Sequence, residues 1–231
     1  MIKLLSGTVL NLSSRESTLI PPTDEIVHLR WKEEPGYILV VEKEAIFQTL
    51  CHSAFADNSL LGKKGVIITG KGQPDIATRG LVHLLSQELP LRIPILLLVD
   101  ADVYGLEIAS VYKCGSIKMR HESHSLTSER AMWLGLKHSD FRRFHIDPDS
   151  LLHISNMDYR KALHMLSRLG DRFPSDWKDE LTRLVLMRRK AEIEILSQAS
   201  PTTGCLWDTA RSGPALIPYL LVKISEVLTV M

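Results

Sequence analysis

Asp100 and Asp102 stand one residue apart at the end of the apolar run Ile93-Pro94-Ile95-Leu96-Leu97-Leu98-Val99. Two carboxylates at i and i+2 in extended chain project to one side, and paired hard oxygens are the donors that Mg²⁺ takes. The run is too short to cross a bilayer and reads as a strand buried on both faces of a parallel sheet. Its carboxyl end is where open α/β sheets bind ligands. Glu42 ends a second such run, Tyr37 to Val41, so three carboxylates are candidates for one edge of the sheet. Acids so gathered repel one another unless a cation neutralises them. Acids at these places also suit helix N-termini, whose N–H groups and dipole favour negative charge, and spacing alone leaves both readings open.

Lys71 lies between Gly70 and Gly72, which permit close backbone approach, so its ammonium is a candidate phosphate contact. Neither Gly62-Lys63-Lys64-Gly65 nor Gly70-Lys71-Gly72 has the spacing of a nucleotide P-loop. Arg79, Lys118, Arg120, Arg142 and Arg143 are further cations whose default is to face water. His121, Glu122 and His124 contain a His-x-x-His spacing with no further ligand, which reads as a polar turn rather than a metal site. Cys51 and Cys114 read as small apolar residues.

The elements around these residues alternate. Strands at Tyr37 to Val41, Gly65 to Thr69 and Ile93 to Val99 are followed by helices over Lys43 to Phe55, Ile76 to Leu89 and Tyr104 to Tyr112. Crossover units of this kind give a parallel sheet covered on both faces. Further strands are expected at Ile117 to His121 and Met132 to Leu136. Helices are expected over Met157 to Leu169, Trp177 to Leu196 and Ile217 to Val230, with a linker at 200–204. Residues 1–36 read as a connecting segment with one strand at Ile26 to Trp31. The expected organisation is therefore this connector, an α/β domain over 37–145, and a helical part over 146–231 packed on its core.

The 231 residues carry a net charge of +1, with 45% hydrophobic and 24% charged side chains. Those values suit a globular chain able to bury a sizeable core and argue against disorder or a membrane protein. Any polyanion must be met by local placement of Lys and Arg, not by overall charge. Three widely spaced cysteines support neither a disulfide framework nor a zinc site and fit a reducing compartment. Ser6, Gly7 and Asn11 interrupt what a secretory signal would need as a continuous apolar core.

Three blocks in order, Val40 to Glu44, Ile67 to Arg79 and Val99 to Ile108, resemble the Toprim domain shared by the A subunit of topoisomerase VI and the related proteins that make meiotic double-strand breaks. Gly115 to Leu126, Trp133 to Leu136 and Lys190 to Glu194 extend the likeness over most of residues 5–225. It implies a Rossmann-like Toprim sheet flanked by helices with a helical C-terminal extension. It also implies Mg²⁺ held by Glu42, Asp100 and Asp102, a double-stranded DNA partner and a nuclear location; Lys71 and Arg79, chosen from the residues themselves, are the candidate contacts to that DNA. A homodimer and an ATP-binding partner resembling the topoisomerase VI B subunit follow from the same likeness.

That family cleaves DNA with a tyrosine in a winged-helix domain ahead of the Toprim sheet. The 36 residues before Tyr37 contain no tyrosine and leave no room for such a domain, so no catalytic nucleophile is expected in this chain. Val103 also departs from the proline usual after the second aspartate. The leading expectation is the metal and DNA half of a type IIB cleavage site. The alternative is a non-catalytic scaffold for DNA or a partner. A phosphotransferase using Asp100 as nucleophile is disfavoured, because its Asp-x-Asp ends the first strand of its sheet.

Overall fold

A computed structural model describes residues 1–13, 16–115, 123–168, 173–198 and 216–230. The strands are β1 (Ile2–Leu4), β2 (Val9–Leu10), β3 (Ile26–Leu29), β4 (Tyr37–Val41), β5 (Gly65–Thr69), β6 (Ile95–Leu98), β7 (Ala131–Gly135), β8 (Leu152–His153) and β9 (Arg189–Lys190). The α-helices are α1 (Glu44–His52), α2 (Ile76–Glu88), α3 (Val103–Cys114), α4 (Ser123–Leu126), α5 (His138–Arg143), α6 (Asn156–Arg168), α7 (Ser175–Met187), α8 (Ile195–Gln198) and α9 (Leu216–Val230).

The central element is a four-stranded parallel sheet in the order β5-β4-β6-β7. Every residue of β4 and of β6 is buried, which is what a strand covered on both faces requires and why both read as unbroken apolar runs. Tyr37 to Val41 pair in register with Gly65 to Thr69. The Tyr37 ring lies across Gly65, where an added Cβ would stand 2.2 Å from the ring carbon bearing the hydroxyl. Only glycine fits beneath it.

Two compact units divide the chain. The first comprises the described residues of 1–97 and 110–132. Residues 1–36 carry more structure than the expected connector: β1 pairs with β2 and β3 in a small antiparallel sheet. Ser6 and Gly7, with Gly7 at φ 82°, make the turn between β1 and β2. Strand β3 falls within the strand expected at Ile26 to Trp31, whereas β1 and β2, three and two residues long, carry too little apolar periodicity to be read from sequence. Helix α2 is closed at its end by Arg130, whose guanidinium donates to the carbonyls of Ser86, Leu89, Pro90 and Ile93.

The second unit comprises residues 98–109 and 133–230. Here the expected helix over Trp177 to Leu196 is broken. Helix α7 ends because Arg188 takes the left-handed conformation at φ 51°, and its N–H closes the last turn on Leu184. Ala191 and Ile193 are buried while Glu192 is exposed, a period of two that belongs to extended chain and not to the expected helix. Strand β9 instead pairs antiparallel with β8. Helix α5, which sequence did not suggest, carries buried Asp140. That carboxylate accepts from the Tyr219 hydroxyl at 2.7 Å, the Lys223 ammonium at 2.9 Å and the Lys137 N–H at 2.9 Å, anchoring α9. The expected strand over 117–121 and the linker at 200–204 lie outside the described residues.

Candidate metal centre

Asp100 and Asp102 occupy the turn from β6 into α3, where the sheet needs its chain to reverse toward the covering helix. Asp100 is 6% exposed, and its Oδ1 accepts the backbone N–H of Ile193 at 2.8 Å. Asp102 caps α3: its Oδ1 accepts the N–H groups of Tyr104 at 2.9 Å and Gly105 at 2.8 Å. The helix-capping role considered for Asp102 is thus real, and it occupies one oxygen. The other, Oδ2, makes no hydrogen bond among the described residues. Gly105 lets the helix start tightly, since a Cβ there would lie 2.4 Å from the Asp100 carbonyl oxygen.

The turn is strapped from the C-terminal side. Ala101 and Ala191 exchange both backbone hydrogen bonds, at 2.9 and 3.3 Å, as an isolated antiparallel bridge. That register sets Lys190 opposite Asp102 and Glu192 opposite Asp100. Lys190 Nζ lies 3.0 Å from Oδ2 of buried Asp158, which with Ser155 forms a reciprocal cap at the start of α6. Burial opposes ionisation of Asp158, but the Ser155 N–H and the Lys190 ammonium hold its carboxyl below the usual carboxylate value.

In the first unit, Glu42 follows β4 directly and is half-buried; its carbonyl accepts the Gly72 N–H at 2.8 Å. The glycine loop is therefore tied to the main chain at the end of β4, with Lys71 at φ 54° and Gly72 at φ 103°. Lys71 is exposed and pairs with Glu44 at 2.9 Å. Arg79 does not share that exposure. It is 3% exposed on the inner face of α2, an internal cation whose field reaches the Tyr112 hydroxyl together with those of Asp75 and Glu42. Asp75 caps α2 through Thr78 at 2.7 Å.

The other cations divide. Arg143 is paired with Glu226, Arg142 is exposed, and Lys118 and Arg120 lie outside the described residues, as do His121, Glu122 and the His124 side chain. Cys51 is buried and its thiol pKa is raised by that burial; Cys114 is half-buried, and Cys205 lies outside the described residues. Tyr37, Tyr112 and Tyr219 are 0%, 3% and 2% exposed. Burial first, with nearby carboxylates adding, pushes all three hydroxyls above the ordinary tyrosine value. Tyr104 is 38% exposed, with the Lys161 ammonium 4.1 Å from its ring centre.

Among the described residues, no three His, Cys, Asp or Glu side chains form a ready-made metal cage. Mg²⁺ does not demand one: it is commonly held by one or two carboxylates together with water and substrate phosphate. A carboxylate locked through Oδ1 with Oδ2 uncommitted, as in Asp102, is a hard-oxygen donor suited to that ion. No helix among the described residues is long and apolar enough to cross a membrane.

A parallel sheet covered by helices with an acidic turn at its carboxyl edge defines a Toprim-type α/β protein. Residues 37–204 match the family model for the Toprim domain of Spo11 and the topoisomerase 6 A chain, and the protein belongs to that family. It is 39% identical over 165 residues to meiotic recombination protein SPO11-1 of Oryza sativa subsp. indica, covering 71% of this chain and 42% of the rice protein. Against SPO11 of Mus musculus it is 40% identical over 164 residues, covering 71% and 40% of the two chains. Against the A chain of DNA topoisomerase 6 from Arabidopsis thaliana it is 37% identical over 178 residues, covering 77% and 40%. The chain thus spans about two fifths of the length of these curated relatives.

Proposed function

We propose that this chain supplies the metal and phosphate half of a DNA double-strand cleavage centre, with Glu42, Asp100 and Asp102 as the Mg²⁺ ligands. The observation that carries the reading is the Asp100–Asp102 turn at the carboxyl end of β6, with Asp100 oriented by Ile193 and Asp102 by the start of α3. Family membership supports adding Glu42 and the nuclear, meiotic setting. When bound, Mg²⁺ would offset the charge of the scissile phosphodiester and of the departing 3′-oxygen. Lys71, exposed on a loop anchored to Glu42, exchanges Glu44 for a backbone phosphate. Buried Arg79 serves from within as a counter-charge for the acids around Tyr112.

The parent reaction is transesterification: a tyrosine hydroxyl attacks phosphorus, a 5′-phosphotyrosyl bond forms and the 3′-hydroxyl leaves. We assign the nucleophile to no tyrosine of this chain. A homodimer and an ATP-binding partner of the topoisomerase VI B type complete the proposed assembly, and light scattering of the chain alone and mixed with such a partner tests both.

The deciding experiment titrates the purified chain with labelled duplex DNA, with and without Mg²⁺, at constant ionic strength. Mg²⁺ is expected to tighten binding, and Asp100→Asn with Asp102→Asn to remove that gain while leaving metal-free binding in place. Metal-independent binding unchanged by both substitutions rejects the metal reading and favours a scaffold.

A further inference from the structure

We propose that Lys161 and Lys190 form a phosphate seat beside the Asp100–Asp102 turn, taking successive backbone phosphates of a nucleic-acid strand. The inference rests on the nucleic-acid reading above and names the protein groups that meet phosphate on the aspartate side of the site.

Three observations carry it. The Ala101–Ala191 bridge places Lys190 opposite Asp102 by antiparallel register, and the field of Asp102 reaches its ammonium. Lys161 reaches the same turn from α6, with its ammonium over the Tyr104 ring and 2.6 Å from Glu107 Oε2. Tyr104 is itself the residue whose N–H holds Asp102. Both lysine side chains are partly covered, at 23% exposure for Lys190 and 30% for Lys161, yet neither is sealed.

Each lysine is held by one carboxylate, Asp158 for Lys190 and Glu107 for Lys161, which fixes the ammonium without using all three of its N–H donors. Burial works against the Lys190 charge. The Asp158 hydrogen bond and the fields of Asp158, Asp102 and Tyr104 outweigh it and lift the lysine above its ordinary value. Arg188 and Arg189 precede Lys190 on the same strap, so positive charge continues along it. A Mg²⁺ ion shared between two carboxylates and a phosphate leaves other phosphate oxygens to be met by the protein. Fixed ammonium groups flanking the acidic turn answer that need, and their grip on phosphate carries no base preference.

The test is the salt dependence of duplex binding by the full chain, read by fluorescence anisotropy in Mg²⁺ over a potassium chloride series. Removing one lysine–phosphate pair lowers the slope of log affinity against log salt by about 0.9. Lys161→Met and Lys190→Met are each expected to lower it by about that amount and to weaken binding equally on unrelated sequences. Lys190→Arg is expected to restore the slope. Because Lys190→Met leaves buried Asp158 without its cation, the pair Asp158→Asn with Lys190→Met is measured alongside. It removes both charges and is expected to show the same drop in slope, whereas Asp158→Asn alone keeps the wild-type value. Unchanged slopes in Lys161→Met and in the paired variant, with wild-type binding intact, overturn the seat alone. A wild-type chain that binds no duplex overturns the nucleic-acid reading as well.

Discussion

The backbone N–H of Ile193 meets the carboxylate of Asp100 at 2.8 Å across 93 residues of sequence. A main-chain donor from the far end of the domain therefore orients the first acid of the turn, and the neighbouring Ala101–Ala191 bridge fixes the backbone between the two aspartates. Stability and the proposed metal-ligand role meet in one side chain, and substitution can separate them. Asp100→Asn keeps an oxygen for Ile193 and should unfold in urea near the wild-type midpoint while losing Mg²⁺ affinity by calorimetry. Asp100→Ala leaves the buried N–H unsatisfied and should cost about 1–3 kcal/mol. Equal midpoints for the two variants would remove the orienting role of Ile193.

Asp102 divides in the same way between capping and charge. Its Oδ1 serves Tyr104 and Gly105, so Asp102→Ala should cost about 0.5–2 kcal/mol of stability through α3. Asp102→Ser retains a capping oxygen and should fall within a few tenths of a kcal/mol of wild type by urea denaturation. Both should lose the Mg²⁺-dependent gain in duplex binding. A serine variant that keeps the gain would exclude Asp102 as a ligand.

Tyr37 gives a prediction of opposite sign. Its hydroxyl is buried with no hydrogen-bond partner among the described residues, and its ring rests on Gly65 of the paired strand. Tyr37→Phe removes the unsatisfied group and should raise stability by up to about 1 kcal/mol. Gly65→Ala should lower it by about 1–3 kcal/mol, because the ring and the strand cannot both stay in place. Thermal melts of the two variants check both directions.

The parallel sheet was legible because β4 and β6, buried on both faces, read as unbroken apolar runs, and the half-buried edge strand β5 is also a short apolar run and falls where it predicts. The acids at their ends were legible for the same reason. The strap was not: Ile193 acts through a backbone N–H, which has no side-chain signature, and Ala191 and Ile195, at helical spacing from Leu184 and Arg188, continued the apparent stripe past the helix end. Arg79 looked like a surface cation because arginine is seldom buried, and only the packing of α2 shows it turned inward. Lys190 opens the last block of the family likeness, but no spacing tied it to the acids; its place opposite Asp102 comes from the register of one bridge.

His138 makes the stability of the chain pH-dependent. The ring is 4% exposed on α5, with Nε2 bonded to the Arg189 carbonyl at 2.9 Å. Burial lowers its pKa below the ordinary 6.5 and outweighs the Arg189 carbonyl, Glu180 and Asp102, which raise it, while Arg183 lowers it further. The unfolded histidine therefore binds a proton that the folded one refuses, and folding is disfavoured as pH falls through about 6.5. Above that value the contribution is fully present. Urea denaturation at pH 7.5 and pH 5.5 should show wild type losing stability at the lower pH, and His138→Gln, which retains a donor for Arg189 but cannot titrate, should lose less. An identical pH response in the two proteins would show that His138 ionises as freely in the fold as out of it.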